Sequence, residues 1–138
     1  MKFFYPTFLF LLLTSCSELG KGKHLNEKVF KSGDITVKWY QTSAITSVHD
    51  FIDVERSGHT ETIMEANTGG IYDVLIKGDT ITIQAKNDLL IYQLTSRNLS
   101  CTIKLDTSIT MCQYMKKYGP EYAKYYCDED STDGNQKR

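Results

Sequence analysis

Two apolar runs of period two meet at Gly78-Asp79, and that junction constrains the fold more than any other stretch. Before it, Tyr72, Val74 and Ile76 share a face; after it, Ile81, Ile83 and Ala85 alternate with Thr80, Thr82 and Gln84. Such alternation marks half-buried strands, because successive side chains point to opposite faces of a sheet. A two-residue Gly-Asp link between the runs predicts a hairpin turn with positive φ at the glycine.

The same period recurs along the chain. Ile35, Val37 and Trp39 alternate with Thr36, Lys38 and Tyr40, and residues 48–56 read as a second clear strand. Ser57-Gly58 turns into 60–66, and 67–70 (Asn-Thr-Gly-Gly) turns into 71–77. Asn87-Asp88 and Ser96-Arg97-Asn98 introduce runs at 89–95 and 99–105. Short strands with turn signals every roughly 8–12 residues predict an all-β antiparallel sandwich, Ig-like or related, in preference to a small barrel. Beyond Leu105 the period changes. Asp106 and Ser108 are candidate caps for a helix over 109–118, Gly119 suits its end, and Pro120 suits the start of a second short helix. The expected folded domain covers 29–127. Residues 128–138 are polar, acidic at their start, and expected to be disordered.

The N-terminus carries a different signal. Lys2 precedes an apolar run from Phe3 to Leu13, with no polar face apart from Thr7. The run is shorter than the roughly 20 residues of a membrane span and fits a secretory core of about 7–15. Leu13-Thr14-Ser15-Cys16 closes it. This ending resembles the lipobox of bacterial lipoproteins. The resemblance covers residues 1–16 only. It implies a signal peptide over 1–15, a diacylglycerol thioether on Cys16, and attachment to the cell-envelope membrane through that lipid. Ser17 after the cysteine implies outer-membrane delivery, with the leaflet open. Residues 17–28 carry two glycines and no periodicity and read as a tether.

A lipidated Cys16 leaves Cys101, Cys112 and Cys127 in a compartment where disulfides persist. Three pairings are possible. Cys101 shares an apolar face with Leu99, Ile103 and Leu105, whereas Cys112 and Cys127 bracket the two helices. The expected bridge is therefore Cys112–Cys127, with Cys101 a free core thiol.

No phosphate-binding glycine loop, His-Glu-x-x-His or serine-nucleophile elbow is present, and no catalytic residue is assigned. His49, Asp53, Glu55 and His59 are the only cluster resembling metal ligands. On one strand, His49 and Asp53 stand about 13 Å apart, too far to share an ion; the expectation is a solvated polar face, no metal and no cofactor. The formal net charge is −1, with signs interspersed and no basic stripe, which argues against a nucleic-acid partner. Tyr114, Tyr118, Tyr122, Tyr125 and Tyr126, beside Lys116, Lys117 and Lys124, are a candidate binding or bilayer-facing surface. The alternative is that these rings cover an open side of the sheet. The resulting expectation is a lipid-anchored envelope protein acting as a non-catalytic binding module, with another envelope protein as its candidate partner. The alternatives are an inhibitor or immunity-type protein and a cell-wall or glycan-acting enzyme. The last needs two carboxyls about 5–10 Å apart in a pocket.

Overall fold

The computed structural model describes residues 24–43 and 46–127. The expected signal peptide, Cys16, the first part of the expected tether, residues 44–45 and residues 128–138 lie outside them. In chain order the strands are β1 (His24–Ser32), β2 (Ile35–Ser43), β3 (Val48–Arg56), β4 (His59–Asn67), β5 (Ile71–Lys77), β6 (Thr80–Lys86), β7 (Ile91–Leu94), β8 (Arg97–Asn98) and β9 (Cys101–Ile109). Helices α1 (Met111–Tyr118) and α2 (Ala123–Cys127) follow. The strands form one sheet of order β1-β2-β3-β4-β7 and another of order β5-β6-β9-β8. This is the expected small β-sandwich with a short C-terminal helical segment.

The alternating residues supply the core. Ile35, Val37, Ile52, Val54 and Met64 of the first sheet meet Ile71, Val74, Ile81, Ile83 and Cys101 of the second. Each Ile, Val or Met buried in this way contributes about 1.5–3 kcal/mol. Gly78 has φ +57, as the hairpin reading requires. Cys101 is fully buried and free.

The pairing of β6 with β9 departs from the antiparallel expectation: it is parallel. After β6 the chain crosses to the first sheet as β7, then returns through β8, so β9 enters in the direction of β6. Thr95 N donates to Ile63 O at 2.9 Å while Ser96 O accepts from Ile103 N at 2.9 Å. Consecutive residues thus bond to different sheets.

Four local expectations are corrected. The tether does not extend to Lys28, because β1 begins at His24 and pairs with β2. Nearly all of β1 is exposed on both faces, so it lacks the alternation that would mark it as a strand. Tyr72 does not share a face with Val74, because a bulge between Ile71 and Asp73 sets Tyr72 out of register. Leu99 is not in a strand; Leu99 and Ser100 form a turn with φ 46° and 62°. Finally, neither Asp106 nor Ser108 caps α1. Thr110 does so, with Gln113 N donating to Thr110 Oγ1 at 3.2 Å and Thr110 N donating to Gln113 Oε1 at 2.8 Å. Asp106 instead accepts from the Ser108 side chain, from Ser108 N at 3.0 Å and from Gln84 at 3.3 Å, which together hold its carboxyl below the ordinary value.

Candidate functional site

A cleft of about 280 Å³ opens where α1 crosses the sandwich edge, lined by Asn26, Lys28, Trp39, Gln41, Gly69, Tyr114 and Tyr118. Its position follows from local pairing. The bulge at Tyr72 frees that residue's carbonyl, which accepts from Tyr118 Oη at 2.6 Å and Lys117 Nζ at 3.0 Å. Lys117 also pairs with Asp73 at 2.7 Å. Burial opposes the Lys117 charge, but the bonds to Asp73 and Tyr118 outweigh it and raise its pKa. These contacts lay α1 along β5, with Tyr114 and Tyr118 facing back across the gap toward β1 and β2.

The floor is Trp39, only 8% exposed. Its indole Nε1 donates to Asp50 Oδ1 at 3.1 Å, and Gly69 N donates to Asp50 Oδ2 at 3.2 Å. Asp50 is fully buried on the inward face of β3, in line with Ile52 and Val54. Burial is the main cause of a raised Tyr114 pKa, with Tyr118 and the Asp50 charge adding to it. Over the floor lies Lys28, its Nζ 4.3 Å from the Trp39 ring centroid and 4.8 Å from that of Tyr118. Both distances are in the cation–π range. Its nearest hydrogen-bond partner is Tyr118 Oη at 3.4 Å. Asn26 donates to Gln41 Oε1 at 2.8 Å, and Gln41 donates to Thr68 Oγ1 at 2.6 Å, fixing the two amides at the rim.

The five C-terminal tyrosines divide into two sets. Tyr114 and Tyr118 pack together at 5.0 Å between centroids, and Tyr118 meets Tyr72 edge-on at 6.1 Å. These two cover the sheet edge and wall the cleft. Tyr122, Tyr125 and Tyr126 point outward. The expected bridge between Cys112 and Cys127 is present, with Cα atoms 4.7 Å apart, and fixes α2 against α1.

The candidate metal cluster is dispersed. His49 Nδ1 lies 2.8 Å from Glu65, Glu55 pairs with Lys38 at 3.1 Å, and His59 sits at the far end of the molecule beside Arg56. Asp53 accepts from Tyr40 at 3.1 Å and Thr62 at 2.7 Å. Burial, with the Asp53 charge, pushes the Tyr40 hydroxyl up to about 12.

Sequence reasoning missed Asn26, Lys28, Trp39, Gln41 and Asp50 as site residues. Asp50 left a usable signal, a carboxylate at an inward position of an alternating strand. Lys28 left none, since its strand shows no period. Among the residues lining the cleft there is no carboxylate, thiol or imidazole. The lining presents three rings, one cation and two amides, groups suited to holding a ligand. At 280 Å³, the cleft lies just below the lower end of the usual range for small-molecule sites and matches one compact group. No family model matches the chain, and comparison with curated proteins and with solved structures found no match.

Proposed function

We propose that this chain is a bacterial envelope lipoprotein, anchored through Cys16, whose domain is a non-catalytic binding module with its site in the Trp39–Tyr114–Tyr118 cleft. The Leu13-Thr14-Ser15-Cys16 sequence supports the anchor. The observation that carries the binding reading is Lys28, held over two aromatic faces and in no ion pair among the described residues. Its ammonium keeps donors for a ligand oxygen, while the rings take an apolar face and Asn26 and Gln41 take polar edges. A compact group with an oxyanion or carbonyl beside an apolar surface, offered by a cell-wall fragment or a partner's side chain, fits this set.

The chain has a single tryptophan, and it is the cleft floor. Its emission therefore reports occupancy. Titrating solubilised cell-wall fragments, then peptides from envelope proteins, should give a saturable change in Trp39 emission that Lys28→Ala and Tyr118→Ala abolish. A saturable change that survives both substitutions would place binding elsewhere and reject the cleft. The anchor is tested separately: the mature protein should carry the mass of a diacylglyceryl cysteine, and Cys16→Ser should release it from membranes.

A further inference from the structure

The C-terminal hairpin carries three tyrosines that neither the core nor the cleft uses. Tyr122, Tyr125 and Tyr126 are 55%, 63% and 42% exposed. They sit on a short segment that the Cys112–Cys127 bridge already holds in place, so placing them at a surface orders little further chain. Among the described residues, Tyr125 alone of the three has a partner for its ring, Lys124 at 4.8 Å.

The position of the chain's entry into the fold says what lies near them. β1 starts at His24, and Asn26 and Lys28 line the same cleft as Tyr114 and Tyr118 of α1. The segment from Cys16 therefore reaches the domain at the end that bears the helical hairpin. About eight residues separate Cys16 from His24, a reach of at most about 26–29 Å extended and about 14–17 Å as a flexible coil. With that reach, a lipid on Cys16 would hold the membrane near the end of the domain where Lys28 meets Tyr118, the last residue of α1 before the hairpin turn.

We propose that the Tyr122–Tyr125–Tyr126 face rests on the bilayer that holds the anchor, its rings at headgroup level. The inference rests on the Cys16 reading and adds a second contact that orients the cleft relative to the membrane. Tyrosine is suited to this depth, with an apolar ring and a hydroxyl that stays wet. The affinity needed is small, because a short tether holds the face at an effective concentration of about millimolar. Charge does not drive the contact. Lys116 and Lys124 are offset by Glu121 and by Asp128, Glu129 and Asp130 next in the chain, so the contact persists at high salt and on zwitterionic lipid.

The test uses the full mature protein, labelled with 3-fluorotyrosine and placed in nanodiscs of phosphatidylethanolamine with a headgroup nitroxide lipid. Single Tyr→Phe variants assign the fluorine resonances, and intact mass establishes the lipid on Cys16. The expected result is broadening of the Tyr122, Tyr125 and Tyr126 signals several-fold beyond that of Tyr40, unchanged by added salt. If the acyl mass is present but a water-soluble paramagnet broadens the three signals and the nitroxide lipid does not, the bilayer contact is overturned and the anchor stands. If the acyl mass is missing, the anchor reading itself has failed and takes the contact with it.

Discussion

The two ends of the sandwich each hold a cation, and the surroundings of the two differ. At one end Arg56 is saturated with anions: Nε donates to Asp34 at 2.8 Å and a terminal nitrogen meets Asp79 at 2.9 Å. Asp34 lies in the β1–β2 turn and Asp79 in the β5–β6 turn, so the guanidinium links the sheets. The bond from Arg56 holds the Asp34 carboxyl below its ordinary value. At the other end Lys28 faces rings. A cation enclosed by carboxylates serves the fold, whereas one set over aromatic faces retains hydrogen-bonding capacity for something else.

This contrast fails most readily at the helical hairpin. Reducing the Cys112–Cys127 bridge should remove about 3 kcal/mol from the local stability of α1 and α2, from the entropy of a loop of about 15 residues. Hydrogen exchange should then rise in residues 111–127 and at the cleft, with β2, β3 and β6 unchanged. Uniform acceleration would mean that the two ends are not separable. Next in size is Asp50→Ala, which strands the Trp39 indole N–H and the Gly69 amide; urea denaturation should show a loss of about 2 kcal/mol. Asp50→Asn keeps an acceptor and should lose less.

A sharper comparison pairs Arg56→Ala with Lys28→Ala. The first should lower Tm by a few degrees and leave Trp39 emission unchanged; the second should leave stability within about 0.5 kcal/mol and shift the emission. Reversal of that pattern would exchange the roles of the two ends. The last comparison is a pH dependence, confined to strongly alkaline conditions. Unfolded tyrosine ionises near 10, and Tyr40 is pushed up to about 12 in the fold. The folded state keeps the proton longer, so this contribution is complete below about pH 10 and declines as pH rises from about 10 to 12. Tyr40→Phe should flatten the unfolding curve across that window.

Much of the fold was legible because its inward positions repeat with period two. Ile81, Ile83 and Ala85 announce β6, and the Gly78 turn has the required φ. The bridge was legible too, since Cys101 lies in an apolar alternation and the other two cysteines flank a reversal. The cleft was not legible, for three physical reasons. β1 gains its structure from hydrogen bonds to β2 and buries little, so Lys28 has no pattern around it. The bulge at Tyr72, which gives α1 its docking carbonyl, changes register without any glycine or proline to mark it. Tyr114, Tyr118 and Tyr122 recur at intervals of four, yet the first two wall the cleft and the third is exposed, which is decided by which side of the disulfide-closed hairpin faces β5.

The double bond-making of Thr95 and Ser96, one residue tied to each sheet, has a consequence for the cleft at the opposite edge. One wall of that cleft, Trp39 and Lys28, belongs to the first sheet; the other, Tyr114 and Tyr118, hangs from β9 of the second. Stitching the sheets through adjacent residues prevents them from shearing past one another. An aperture whose two walls belong to sheets tied in this way is expected to keep its width when a ligand enters, so that it would select an incoming group by size instead of closing around it.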